Sequence, residues 1–504
     1  MPVNNLAFKK QLPFIIPTAL FFLLSFVGIL HHEMWRDEYQ ARLITLNSHS
    51  LSEIFHNIRY EGHPVLWFLL LYVLKFISTS EFAMQILHII IATASVLIIF
   101  RYSPFSLLQK SLMVCGYFLL YEYNIISRNY ALGVLLFFSF VALYPNWRKR
   151  IILTAITIAL LANTNVYAFI IACTCCLLLL LDAWYKKDYK INLQWFTAGI
   201  IVLGGLIISA LVMKPAPDAA GDIGLDLSLS SSRISDSLRS VFIAFFPIPN
   251  LISKHSWNTN FAGNSAGPQV IISLIIFFTT AYHFRKNTRH LIFYTTGMLI
   301  LLFFSYVTGL SFLRHVGHFY IFWLGCTWLY FKETTKPAVA LQAMLYLILA
   351  VQSTAAFALF YNDYKKPFSE SESATKFLKD DKLDSLIITG MPDYIVTPFS
   401  SKLNKPVYYL ESDSWGTFIK WDSTRHNGSL ENVQLANLVK LSKNHKQDII
   451  AVLNQEITAT VNGEQKILQE FYLDQGIKMK KIAEFKRSIV DDEIYFLYKV
   501  MNEK

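Results

Sequence analysis

The chain has 504 residues, 54% of them hydrophobic and only 16% charged, whereas a soluble protein carries roughly a quarter charged residues. Apolar runs of about 15–25 residues recur, long enough to cross roughly 30 Å of hydrocarbon as helix, which excludes a soluble globular enzyme. The net charge of +10 is uneven: residues 362–504 hold 20 Lys+Arg against 21 Asp+Glu, and residues 1–361 hold 25 against 14. The positive-inside rule accounts for that excess without nucleic acid.

In chain order, eleven membrane spans are expected near 12–30, 82–100, 107–122, 130–145, 151–165, 166–183, 195–213, 268–284, 290–310, 316–331 and 337–361. Lys9 and Lys10 precede the first apolar stretch. No small-residue cleavage site follows it, so it reads as a retained helix. With the N-terminus cytosolic, the loops on that side receive fifteen basic residues, among them Arg148–Arg150, Lys190 and Arg289, against Asp182, Asp188 and Glu333. The bias holds along the whole chain. His63–Ser78 is apolar, but Pro64 opens it and Lys75 interrupts it. A crossing there would invert every later loop, so an interfacial or re-entrant segment is expected, with a short full span as the alternative. All five cysteines (Cys115, Cys173, Cys175, Cys176 and Cys326) fall in apolar runs and read as packing residues rather than a metal cluster or a disulfide framework.

This threading leaves an outer loop at 31–81, short turns around Arg128, Asn163 and Arg314, a long outer loop at 214–267, and the C-terminal part. Within the long loop, Ile234, Leu238, Val241, Phe242 and Phe245 recur at helical spacing, which suits a helix over Arg233–Phe246 lying on the membrane surface. Residues 1–361 form the membrane domain, and 362–504 read as a soluble α/β domain outside the cytosol. Strands are expected there at Ser385–Ile388, Val407–Leu410, Asp448–Leu453 and Glu493–Tyr498, with a helix over Leu430–Leu441. It carries no phosphate-binding glycine loop and no metal-ligand spacing, so a docking or lid role is expected.

The residues able to do chemistry lie in the outer loops. Glu33, Asp37, Glu38, Glu53 and Glu61 fall between His31 and His63. In the adjacent pair Asp37–Glu38, one carboxylate can deprotonate an acceptor hydroxyl while the other orients a partner or holds a cation. Burial and like-charge repulsion can raise one of the two into working range. Arg128 with Tyr130, and Arg314 with His315 and His318, place guanidinium groups in short outer turns. Arginine there can grip a phosphate bidentately or snorkel to headgroups. Asn163 and Asn165 make a further polar turn.

Taken in this order, these islands resemble the GT-C class of membrane glycosyltransferases, particularly the family of protein O-mannosyltransferases and aminoarabinose lipid A transferases. Three motifs carry the resemblance: Asp37–Glu38 after Trp35, Glu61-Gly-His63-Pro64 entering an apolar segment, and Arg128 with Tyr130. It implies inverting transfer of a sugar from a polyprenyl-phosphate carrier to a lipid, glycan or protein acceptor outside a bacterial-type inner membrane. By motif, Asp37 would be the general base with Glu38 its helper. Arg128 and Arg314 would hold the donor phosphate, and Trp35, Glu61, His63, Tyr130 and His318 would line the substrate site. The resemblance implies no obligatory cofactor and leaves a divalent cation open. A second acid in a later loop is expected in such enzymes, for which Asp218, Asp222 and Asp226 are candidates. Val65 stands where a second proline is often found. Two other classes compete. A transporter or flippase of lipid-linked saccharides would place ionisable groups at the midplane and show internal repeats, and a non-catalytic assembly or sensor protein would use the C-terminal domain to bind a ligand.

Overall fold

A computed structural model describes residues 3–187, 192–220, 225–263, 265–425, 430–445, 447–461, 464–474 and 476–503. Asp188, Lys190 and Asp222 therefore lie outside the described residues. The fold is mainly α, with a mixed α/β sheet domain at the C-terminal end.

Among the described residues, seven helices rather than eleven are long and apolar enough to span a membrane. They are Leu12–Ile29, Glu81–Tyr102, Val166–Tyr185, Leu193–Met213, Ala266–Phe284, Thr288–Thr308 and Val339–Lys365. Two shorter apolar helices, Tyr130–Asn146 and Ile151–Ala162, accompany them. The stretch at 107–122 breaks at Cys115–Gly116 into Leu107–Val114 and a π-helical Tyr117–Glu122. The stretch at 316–331 is part of a 21-residue helix, Leu313–Glu333, whose Arg314, His315, His318, Lys332 and Glu333 dilute its hydropathy. Nearly all of that helix is buried against protein, so it needs no apolar outer face. By contrast Leu193, Phe196, Ile200, Leu203, Ile207 and Leu211 form an exposed apolar stripe on Leu193–Met213, as a lipid-facing helix requires. Helix lengths and this stripe make the chain a multi-pass membrane protein.

Residues 66–74 form a nine-residue helix about 14 Å long, less than half the hydrocarbon thickness. The Leu66 N–H donates to Asn163 O at 3.1 Å, which pins its start to the turn at 163. Val73, Phe76 and Ile77 are left exposed. The helix in the long loop runs Ser231–Phe245, but it does not lie flat on lipid. Its buried face includes Ser237 and Ser240. Ser237 Oγ donates to Leu302 O at 2.8 Å and Ser240 Oγ meets Ser305 Oγ at 3.3 Å. Hydroxyls on the buried face select a protein neighbour over lipid.

Among its described residues the C-terminal domain holds nine strands: β1 (Ile387–Met391), β2 (Val407–Tyr409), β3 (Ser414–Gly416), β4 (Ile449–Leu453), β5 (Thr458–Val461), β6 (Glu464–Ile467), β7 (Glu470–Asp474), β8 (Ile477–Phe485) and β9 (Tyr495–Asn502). Seven form one sheet in the order β3-β2-β1-β4-β9-β8-β7, with β1 parallel to β2 and β4 and the other pairings antiparallel. Alternate residues face opposite sides. Ile388, Ile450 and Val452 pack with Ala374 and Leu378 of helix Ser371–Asp380. Ile387, Ile449 and Ala451 pack with Leu438 and Leu441 of helix Leu430–Asn444. Both faces are therefore covered, as hydrophobic central strands require.

This domain sits on the loops 31–81 and 214–267. Arg36 donates to Asp492 Oδ2 at 2.5 Å and faces Glu493 at 3.5 Å. The Ser371 hydroxyl donates to Glu33 at 2.9 Å, and the Trp257 N–H to Ile489 O at 3.1 Å.

Candidate functional site

Helix Arg36–Leu46 starts at Trp35, and both adjacent carboxylates fall in its first turn, where the helix dipole favours negative charge. They point to different places. Glu38 reaches back to accept the Trp35 N–H at 3.1 Å. It also accepts the Ser127 N–H at 2.6 Å and meets His32 Nε2 at 3.2 Å. Glu38 is fully buried, and both its oxygens are occupied. Each such charged bond contributes about 1.5–3 kcal/mol, so Glu38 orders the turn that carries Arg128.

Asp37 instead faces a cavity of about 280 Å³, with its side chain 27% exposed. Arg128 Nη1 lies 3.2 Å from Asp37 Oδ2 and donates to Asp37 O at 2.8 Å. Arg314 Nη2 lies 3.9 Å from the same oxygen, and Arg36 Nε 3.9 Å from the other. Residues from three separate turns thus converge on one carboxylate. Burial opposes its charge, but Arg128, Arg314 and Arg36 hold its carboxyl below the ordinary range. Arg128 Nη2 donates to His63 Nε2 at 3.3 Å, since guanidinium has no acceptor. Burial, with Arg128 alongside, pushes the His63 imidazole down to about 3, so it is neutral with its proton on Nδ1. Glu61 lines the same cavity, accepts from Gln40 Nε2 at 2.8 Å, and is pushed up to about 7 by burial.

Behind Arg314 lies a wall of aromatic rings. Its guanidinium sits over Phe312, Trp35 and Trp257 at 4.6, 5.2 and 5.9 Å from their centroids. The Tyr123 hydroxyl donates to Arg314 O at 2.7 Å. Beside it, Tyr130, Tyr167, His315 and His318 stack into one cluster, with Tyr167 4.8 Å from His318 and 5.5 Å from His315 between centroids. The hydroxyls of Tyr130 and Tyr167, His315 Nδ1 and His318 Nε2 are all buried without a hydrogen-bond partner among the described residues. Each such group costs about 1–3 kcal/mol when left unpaired, and the four lie close to Arg314 and Arg128.

The structure brings Asp37, Arg128, Arg314, Trp35, Glu61, His63, Tyr130 and His318 to one end of the bundle. The Asp182 cluster with Arg148 and Arg289 lies at the other. Tyr167 and Asp182 stand fifteen residues apart on helix Val166–Tyr185, about 22 Å. Asp218 and Asp226 do not line the cavity. Asp218 pairs with Arg59 at 3.1 Å and accepts from the Tyr60 hydroxyl at 2.7 Å, and Asp226 pairs with Arg233 at 2.6 Å. Asn165 caps helix Val166–Tyr185 through the Ala168 N–H at 2.9 Å, and Asn163 bonds Ala159 O and Gly205 O, both structural uses. Among the described residues no group of three or more His, Cys, Asp or Glu could hold a metal ion, and the charge facing Asp37 is guanidinium.

Three groups carry no local sign in the sequence, Tyr167, Trp257 and Gln40, whereas the Arg36 guanidinium stands directly beside the carboxylate pair. Comparison with protein-family models, with curated proteins and with solved structures found no match for this chain.

Proposed function

We propose that this chain is a membrane glycosyltransferase that transfers a sugar from a polyprenyl-phosphate carrier to a lipid, glycan or protein acceptor on the extracytoplasmic face of a bacterial-type inner membrane. The observation that carries this reading is the convergence of Arg128 and Arg314 on the Asp37 carboxylate, beside a buried cluster of unpartnered hydroxyl and imidazole groups. A carrier with a long isoprenoid tail keeps its phosphate near headgroup depth, where these helix-end arginines stand. The GT-C-like threading of eleven spans, in which Leu107–Glu122, the two shorter apolar helices and Leu313–Glu333 also cross, puts this end outside the cytosol together with the C-terminal domain.

In this mechanism the donor phosphate takes the guanidinium groups of Arg128 and Arg314 away from Asp37. The released carboxylate removes the proton from an acceptor hydroxyl as its oxygen attacks the anomeric carbon. The bond from that carbon to the phosphate oxygen breaks with inversion, and the arginines stabilise the polyprenyl phosphate that leaves. Glu38 keeps Arg128 in place without entering the reaction. Asp37→Asn keeps the shape and loses the base. It is expected to lower transfer from labelled polyprenyl-phosphate sugars in membranes by about 10²-fold or more, with the protein still inserted. Undiminished transfer in that variant would sink the assignment.

A further inference from the structure

The cavity in front of Asp37 has two unlike walls. One is polar and belongs to the membrane domain, formed by Asp37, Glu61, His63 and Arg128. The other comes from the C-terminal domain and is formed by Tyr394, Ile419 and Trp421. We infer that Tyr394 and Trp421 are substrate-binding residues, forming an aromatic platform against which the donor's sugar ring packs while its hydroxyl edge faces the polar wall. This inference rests on the glycosyltransferase reading above.

Trp421 remains 38% exposed, and Tyr394 is half-buried at the cavity edge, with the Arg36 guanidinium of the membrane domain 5.0 Å from its ring centroid. Their centroids lie 6.3 Å apart at 37°. The strip that carries Trp421 is held on both sides by the membrane domain. Gln40 donates to Ile419 O at 2.7 Å and accepts the Ile419 N–H at 3.0 Å, so its amide mimics a strand neighbour. The Ala220 N–H donates to Trp421 O at 2.8 Å, and the Ser423 N–H to Asp218 O at 2.6 Å. Both rings also share one buried support. Arg425 lies 4.6 Å over Trp421 and pairs at 2.6 Å with Asp393, the residue before Tyr394. Arg425 is 4% exposed and also pairs with Glu411. Such fixing holds an aromatic face ready for a ligand at little entropic cost. A sugar ring has an apolar C–H face and a polar rim, which matches one aromatic wall and one wall of carboxylate, imidazole and guanidinium. The volume, about 280 Å³, is at the lower limit of small-molecule pockets and suits one sugar rather than a long glycan.

The test uses the full-length protein in nanodiscs and two probes, a short-chain isoprenyl-phosphate hexose and the same isoprenyl phosphate without the sugar. Trp421→Ala and Tyr394→Ala are each expected to weaken binding of the sugar-bearing probe by about threefold to tenfold. Binding of the sugar-free probe should be unchanged in both, and Trp421→Phe should restore most of the loss. Arg128→Ala should weaken both probes. Equal affinity of the ring variants and wild type for the hexose probe, with the Arg128 effect intact, would overturn the platform and leave the donor reading standing. Failure of wild-type protein to bind either probe would overturn both.

Discussion

At the scale of single residues, two adjacent carboxylates with the same chemistry have opposite situations. Glu38 is committed to the Trp35 and Ser127 N–H groups and to His32, whereas Asp37 faces Arg128, Arg314, Arg36 and the cavity. In the free protein the arginines keep Asp37 ionised below the usual carboxylate range. A base so stabilised is a weak one, and drawing the guanidinium charges onto a donor phosphate would raise its pKa and strengthen it. The acid limb of kcat/KM reports the free enzyme and that of kcat the bound complex. Activity needs the deprotonated form, so both profiles fall as pH drops through the Asp37 pKa. The kcat limb is expected at the higher pH. Coincident limbs would show that substrate leaves the arginine contacts undisturbed.

Helix Leu313–Glu333 shows how an element serves a site. It is buried on nearly every face, and its Gly317 is the reason it can lie so close to the π-helical Tyr117–Glu122. A Cβ at Gly317 would collide with the Phe118 ring and the Tyr123 hydroxyl. The same hydroxyl holds the Arg314 carbonyl. Gly317→Ala is therefore expected to destabilise the protein by about 1–3 kcal/mol and to weaken donor binding through a displaced Arg314. An unshifted melting curve for the variant in detergent would mean that the helix steps aside freely. The π-helical turn widens the backbone by one residue, with the Tyr123 N–H donating to Phe118 O at 2.9 Å. Such turns concentrate at functional sites, and this one leads into the turn of Arg128.

For the whole molecule, the joint between the first loop, the membrane-length helix Val339–Lys365 and the C-terminal domain runs through His32. Its Nδ1 is 2.8 Å from Asp363 and its Nε2 3.2 Å from Glu38. Burial alone would lower its pKa, but the two carboxylates overcome that and raise it from 6.5 to about 10. A raised folded-state value means that the stabilisation is complete below 6.5 and is lost as pH rises toward about 10. Wild-type melting temperature should fall across that window. His32→Ala should flatten the dependence and cost about 3–5 kcal/mol at neutral pH, because two buried carboxylates lose their counter-charge. A variant with the same pH dependence as wild type would place the effect elsewhere.

Long apolar runs and the alternation of strand and helix patterns are local properties, so the membrane class, seven of the spans and the α/β character of residues 362–504 were legible without a fold. Adjacent acids after a first span and arginines in short turns were equally visible as candidates, because polar groups at membrane depth are few. Local patterning could not separate a lipid-facing helix from one buried in protein, and so read Arg233–Phe246 as a surface helix and Leu313–Glu333 as an ordinary span. Nor could it divide labour between Asp37 and Glu38, since that depends on which N–H groups and guanidinium groups arrive from residues 127, 128 and 314. The contribution of Tyr394 and Trp421 was invisible for the same reason. Pairwise distance between residues hundreds of positions apart is set by packing, and in this protein packing alone placed one domain's aromatic rings opposite another domain's charges.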